Sequence, residues 1–295
     1  IIPPQRFYEW IMFHDFTGNY FDFLLAFPSQ QLSANMGSSL LLWFGHLGTH
    51  IWYLPFLFVM TLVSLPLLKK IQKGHFNFSG LKKIMRTNYG VFILVVPMIL
   101  VRILLKPMYA EYTDWADFFI YMFPFLYGFI FMYDTDFIDI IKKKTTLFLV
   151  VGVICSMYFL YISFLDPQNI QEYLHPSFSL YHIEISIVSM LIAYSWILFF
   201  LGFFAKKMNF SHSILIPANI SILPIYILHQ TLIIVIGYYV VNTELHIGLK
   251  FLIITFTAIP AAILLYKVIQ RNNLLRFLFG LKPKAKSVKA IEKKK

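Results

Sequence analysis

The 295-residue chain contains a single cysteine, Cys155, so no internal disulfide can staple it. Charge is scarce: Asp, Glu, Lys and Arg make up 13% of residues, against about 25% in an ordinary soluble domain. Acidic residues are the scarcer kind, 14 against 25 basic, for a net charge of +11. There is no P-loop, no GxGxxG after a strand, no GxSxG elbow and no Cys/His cluster at zinc spacing. Charge pairs across two halves, the mark of ion-coupled transporters, are not apparent, and nothing suggests a signal peptide or an internal repeat. These absences exclude a disulfide scaffold and a disordered polyelectrolyte, and leave the common soluble nucleotide-binding and hydrolase motifs without support.

What is abundant is apolar. Hydrophobic residues reach 59% and aromatics 19%, with 32 Phe and 18 Tyr. No soluble fold of this size has interior enough for that much apolar side chain, so the surplus faces lipid. An all-α, polytopic transmembrane bundle follows, because helices satisfy their own backbone groups in hydrocarbon. About 20 apolar residues cross about 30 Å of bilayer core. Seven segments qualify or come close: Ile51–Leu68, Thr87–Leu105, Trp115–Tyr133, Thr145–Leu165, Glu184–Ala205, Ser213–Thr243 and Ile247–Tyr266. They are too long and too uniformly apolar for the alternating strands of a barrel. Pro97, Pro124 and Pro260 predict kinks, while Pro217 and Pro224 predict an irregular start with the helix proper over Ile220–Val241.

The loops alternate in charge. Lys69, Lys70, Lys73, Lys82, Lys83 and Arg86 occupy the first, Lys142, Lys143 and Lys144 the third, and Lys206 and Lys207 the fifth. The second has Lys106 against Glu111 and Asp114, and the fourth and sixth carry no Lys or Arg. The positive-inside rule places the basic loops and the basic C-terminus in the cytoplasm, in a multi-pass protein of the cell (inner) membrane. Residues 1–50 are then external, with Ile1 as the end of an earlier span. The expected organisation is a membrane domain over 1–280 and a disordered basic tail over 281–295, beside anionic lipid. A nucleic-acid partner is not needed to explain the net charge.

Titratable groups at membrane depth are costly and so mark candidate sites. His229, in Pro224-Ile-Tyr-Ile-Leu-His229-Gln230, is expected near the bilayer middle, where a neutral imidazole can accept a hydroxyl proton or bond a neighbouring helix. His46, His50 and Trp52 lie in an aromatic stretch from Trp43. The histidines' spacing of four suits one helix face, and the stretch reads as an interfacial belt, an acceptor site or, without a third ligand, a poor metal site. Arg102 and Glu184, near the outer ends of their spans, either pair, snorkel to water or touch substrate, and His182 stands two residues from Glu184. On the inner side, Lys69, Lys70, Lys82, Lys83 and Arg86 serve topology alone or hold donor phosphates as point charges.

Four stretches carry a family resemblance. Trp43-Phe-Gly-His46 through Trp52-Tyr-Leu-Pro-Phe-Leu-Phe58 resembles the GHLWFLxxLF stretch of the membrane acyltransferase 3 family. Ile1-Ile-Pro-Pro-Gln-Arg-Phe-Tyr-Glu9 resembles the PPQxYxE of its glucan-biosynthesis-protein-C-like branch. Leu223-Pro-Ile-Tyr-Ile-Leu-His229-Gln230 resembles that branch's YPxYxLHQ, and Arg271 to Pro283 its ending. The resemblance implies about ten spans, each about 20 residues long. It also implies an O-acyltransferase that moves an acyl group from cytoplasmic acyl-CoA, a co-substrate and not a bound cofactor, to a hydroxyl of an extracytoplasmic carbohydrate or glycan. The family's catalytic histidine and arginine lie in a first span that no segment here matches, so this chain alone is expected to be inactive. It leaves His229 as the catalytic candidate and Glu9, His46, His50, Trp52, Arg102 and Glu184 as substrate-side candidates. A non-enzymatic transporter or flippase of a lipid-linked sugar is the alternative.

Overall fold

The computed structural model describes residues 2–13, 15–34, 52–110, 114–165, 167–208 and 210–283. It is 80% helical, and no strand occurs among the described residues. The helices are α1 (Ile2–Phe13), α2 (Tyr20–Ala34), α3 (Tyr53–Gln72), α4 (Ser79–Arg86), α5 (Val96–Leu105), α6 (Trp115–Tyr133) and α7 (Asp136–Lys143). They continue as α8 (Thr145–Leu165), α9 (Pro167–Leu174), α10 (Leu180–Lys207), α11 (Leu215–Val241), α12 (Ile247–Ile269) and α13 (Asn273–Leu278). A 3-10 stretch, Gly90–Val95, leads directly into α5. Six helices are long and apolar enough to cross a membrane: α3, α6, α8, α10, α11 and α12. The protein is a multi-pass helical membrane bundle.

The expected seventh span, Thr87–Leu105, takes a different form. Its helical part is Gly90–Leu105, shorter than an ordinary span. A 3-10 helix rises about 2.0 Å per residue and an α-helix about 1.5 Å, so the two pieces together reach about 27 Å, close to the hydrocarbon thickness. One face, Val91, Leu94, Val95, Met98 and Arg102, is buried, while Ile93, Val96, Leu100 and Leu104 are exposed. Carbonyls in the poorer 3-10 geometry gain second partners: Tyr194 Oη donates to Val91 O at 2.6 Å and Tyr127 Oη to Leu94 O at 2.9 Å. Gly90 is required by close approach, since a Cβ there would stand 2.0 Å from Ile84 O.

Prolines behave differently from expectation at three places. Pro97 sits in the first turn of α5, where its missing N–H has no intrahelical partner to lose. α11 starts at Leu215 and runs unbroken to Val241 through Pro217, in its first turn, and Pro224. Pro66 lies inside α3, with Pro124 and Pro260 inside α6 and α12.

The chain divides into two compact units. One contains residues 53–210. Its core joins Val91, Leu94 and Met98 to Ile120 and Phe131 of α6, Phe137 and Ile141 of α7, Phe148 of α8, and Met190, Tyr194 and Leu198 of α10. Lys82 Nζ pairs with Asp134 and Asp136 at 2.8 and 2.9 Å. Residues 82 and 134 therefore lie at the same end of this unit, so the Gly90–Leu105 segment and α6 run out and back as a hairpin. Gly202 packs against the α7–α8 junction, where a Cβ would meet Thr145 Oγ1 at 2.6 Å, which brings Lys206 and Lys207 to that end too. The basic loops of residues 53–210 thus gather at one end, as their alternation predicts.

The other unit holds α1, α2 and α11 to α13. Leu228 of α11, Ala262, Tyr266 and Ile269 of α12, and Phe279 form its core. Leu281, assigned by sequence to the tail, belongs to this core at 7% exposure. α1 lies on α11, with a 2.7 Å hydrogen bond between the Tyr8 and Tyr239 hydroxyls.

Candidate functional site

Among the described residues, buried charge concentrates at the end of residues 53–210 opposite the basic loops. Arg102, in the last turn of α5, is 6% exposed; Lys106, just past the helix, is 7% exposed; Asp117, in the first turn of α6, is 8% exposed. Buried ions of this kind are found paired, because solitary burial costs several kcal/mol. Lys106 Nζ accordingly donates to Asp117 Oδ2 at 3.1 Å. The hairpin explains the meeting: both residues flank the α5–α6 turn. Asp114 caps α6 by accepting from Trp115 N, which fixes where that helix starts.

Arg102 is held from two sides. Its Cζ stands 5.1 Å from the centroid of the Tyr173 ring, a cation–π contact from the short helix α9. Its backbone carbonyl accepts from His182 Nε2 at 3.3 Å. That bond sets the tautomer, with Nδ1 carrying the lone pair, and Ser186 Oγ lies 3.4 Å from Nε2. Ser179 Oγ accepts from His182 N and caps α10. The Arg102 Nε has no hydrogen-bond partner among the described residues. Arg102, Lys106, Asp117, Tyr121, Tyr173 and Leu174 line a cavity of about 280 Å³. Beside it, Glu172 accepts from Ser177 N and Oγ at 2.9 and 2.7 Å. Burial alone would raise the Glu172 carboxyl; the hydrogen bonds from Ser177 and Ser179 outweigh it and hold the group below its ordinary range.

Arg102 does not pair with Glu184. Of the alternatives left open by the sequence, pairing is not the one adopted: the Glu184 carboxylate accepts from Tyr158 Oη on α8. Sequence reasoning missed Lys106, Asp117, Tyr121 and Tyr173, and gave His182 no role. The available signal was an aspartate inside an apolar span and a lysine in the loop before it.

At the opposite end, Arg86, Asp136, Asp139, Ile140, Lys143 and Lys144 line a second cavity of about 280 Å³. Of the donor-side candidates, only Arg86 lines it. Lys82 is occupied by Asp134 and Asp136, which push its pKa up, and Lys82 in turn holds Asp136 below the usual carboxylate range. Lys69, Lys70 and Lys83 are exposed. Lys144 Nζ donates to Thr87 O and, at 3.0 Å, to Asn88 O; burial lowers its pKa. Between the ends lies an apolar cavity of about 70 Å³ walled by Met98, Pro124, Tyr127, Phe131, Tyr194 and Leu198, among others.

In the other unit, His229 sits near the middle of α11, half-buried beside buried Leu228. Its Nδ1–H donates to Tyr226 O at 2.6 Å, which leaves Nε2 as the nitrogen with the lone pair. Glu9 is tied within α1, accepting from Gln5 Nε2 at 2.8 Å and Arg6 Nη1 at 2.9 Å. Trp52 is half-buried. His46 and His50 lie outside the described residues. Among the described residues, no group of three or more His, Cys, Asp or Glu side chains is placed to hold a metal. Compared with known proteins, the chain matches no family model, no curated protein and no solved structure.

Proposed function

We propose that this protein is an O-acyltransferase of the cell (inner) membrane, of the acyltransferase 3 type, with its basic loops and C-terminus in the cytoplasm. It takes an acyl group from cytoplasmic acyl-CoA and passes it to a hydroxyl of an extracytoplasmic carbohydrate or glycan. The observation that carries this reading is the two-ended chemistry of residues 53–210: cavities of equal size, about 280 Å³ each, at opposite ends. The end with Arg86, Lys143 and Lys144 keeps one net positive charge against Asp136 and Asp139, and so suits a donor phosphate, since ammonium and guanidinium groups bind it as charges. The end with Arg102, Tyr121 and Tyr173 suits an acceptor, with aromatic faces for a ring and polar groups to orient it. The four sequence resemblances add the reaction.

In the proposed step, a base removes the acceptor hydroxyl proton. The oxygen attacks the thioester carbonyl carbon, the C–S bond breaks, and the coenzyme A thiolate leaves and takes up a proton. His229 is the residue assigned to the proton, because it is a half-buried imidazole near the middle of an apolar helix of spanning length. The test follows labelled acyl groups from acyl-CoA, supplied on the cytoplasmic side of sealed vesicles bearing the full-length protein, to glycan on the other side. Transfer that depends on acyl-CoA supports the reading. Glycan crossing without acylation would replace it with the transporter reading, which the same two-ended arrangement also suits. Orientation is tested separately in a Cys155→Ser background. An impermeant thiol reagent should reach Asn169→Cys and not Lys144→Cys in intact cells.

A further inference from the structure

We propose that the cavity around Arg102 is a binding site for a singly charged oxyanion, a phosphodiester or a carboxylate carried by the ligand that enters it. The inference deepens the acceptor-side assignment and rests on it for the ligand's role, while binding is read without any turnover. Three observations carry it.

The first is charge. Two cations, Arg102 and Lys106, and one carboxylate, Asp117, line the cavity, and all three residues are buried. The Lys106–Asp117 pair at 3.1 Å is neutral as a unit. One carboxylate against two cations leaves the described lining residues with one net positive charge, which a single anion balances. The second is geometry. Arg102 Nε is buried with no hydrogen-bond partner among the described residues, although a guanidinium is built to donate in parallel to two oxygens of a carboxylate or phosphate. The third is how the side chain is held. The Tyr173 ring covers the guanidinium at 5.1 Å, and His182 fixes the Arg102 carbonyl. A pre-positioned arginine loses little freedom when it binds, which favours anion affinity over solvation. The cavity, at about 280 Å³, is at the lower limit of small-molecule sites, so it takes one charged group and its immediate surroundings, not a whole nucleotide.

Asp117 supplies a test with opposite signs. Removing Arg102 takes away the anion's partner. Neutralising Asp117 removes the negative charge that offsets the two cations. The protein, purified in neutral detergent, is titrated with dimethyl phosphate and with acetate at constant ionic strength set by chloride, and its thermal unfolding is followed. A parallel arm uses nanodiscs of phosphatidylcholine with or without phosphatidylglycerol. Wild type should be stabilised by dimethyl phosphate or acetate beyond chloride, or by phosphatidylglycerol beyond phosphatidylcholine. A soluble effect assigns a soluble ligand, and an effect of phosphatidylglycerol alone assigns a lipid headgroup; both uphold the site. Arg102→Gln should weaken the apparent affinity by about ten- to a hundredfold, the size of a lost charge-assisted contact. Asp117→Asn should strengthen it. Should Arg102→Gln fail to fold, Lys106→Gln replaces it and should weaken binding less. No anion effect beyond chloride in either arm would overturn the proposal, and so would weaker binding in Asp117→Asn. Loss of acyl transfer with anion binding intact would refute the proposed reaction and leave the site standing.

Discussion

Breaking the Lys106–Asp117 pair from one side should cost far more than removing it whole. The two side chains are 9% and 11% exposed, and their charges meet at 3.1 Å. With an effective dielectric constant of about 20, Coulomb's law gives about 5 kcal/mol of gross attraction at that distance. Desolvating two ions costs several kcal/mol each, so the pair as formed contributes little net stability. Lys106→Met leaves a buried carboxylate without its ammonium, and Asp117→Leu leaves the reverse. Each should destabilise by about 3–5 kcal/mol, the usual loss when one partner of a buried pair is removed. The cavity beside the pair admits water and favours the lower figure. The double variant Lys106→Met/Asp117→Leu should return to within about 1 kcal/mol of wild type, since an apolar pair of similar volume replaces the ionic one. The assay is equilibrium unfolding in mixed micelles against the mole fraction of dodecyl sulfate, followed by circular dichroism. The cycle then yields a coupling energy of about 5 kcal/mol or more. Additive losses in the double variant, with no coupling, would mean that the two charges do not meet, and the α5–α6 hairpin register would be wrong.

Three further outcomes are expected. His229→Ala and His229→Gln should each reduce acyl transfer by the full-length protein by about 10²–10⁴-fold at unchanged expression, the usual contribution of a general base. Wild-type rates in both would reduce His229 to packing. Tyr194→Phe should destabilise by about 1–2 kcal/mol, because Val91 O, buried in a 3-10 stretch, loses its second partner. Tyr161→Phe, an exposed control, should change unfolding by less than about 0.5 kcal/mol. The basic end should loosen at both extremes of pH. Asp136 is depressed by Lys82, so its contribution exists above the unfolded value of about 3.9 and disappears as pH falls through the lower folded value. Lys82 is raised, so its contribution exists below about 10.4 and disappears as pH rises through the higher folded value. Proteolysis of the Ser79–Arg86 region in detergent, flat across neutral pH and faster at both ends, checks this.

The spans were legible because lipid imposes length and apolarity without regard to neighbours. Six of seven expected segments are helices of spanning length. The seventh was misjudged in form, since hydropathy counts residues and the bilayer counts ångströms; a 3-10 stretch covers more distance per residue. The helix containing Pro217 and Pro224 was cut short for a related reason. Proline in a first turn loses no hydrogen bond, and Pro224 is buried within the bundle that keeps α11 together.

Which helices touch was not legible, and the cause is physical. A soluble helix announces its buried face by an apolar stripe. Here nearly every face is apolar, so the lipid side and the protein side of α6 or α8 read alike. Polar side chains within the apolar runs are the exceptions, and they carry the missing information. Lys106 and Asp117 each lie about five residues from the centre of one turn, the placement a tight hairpin needs for them to meet. Tyr127 and Tyr194 reach carbonyls of the 3-10 segment Gly90–Val95. Trp196 Nε1 on α10 finds Ser156 Oγ on α8 at 3.1 Å. Arg102 shows where such reasoning stops. Depth and charge left pairing with Glu184 as one of several readings; Glu184 is held by Tyr158, and the guanidinium faces Tyr173 on a short helix that reads as loop. Opposite charges at equal depth restrict the choice of partner without fixing it. The outcome depends on which helices adjoin, and α9 is placed by packing on α8 and α10, not by any pattern of its own.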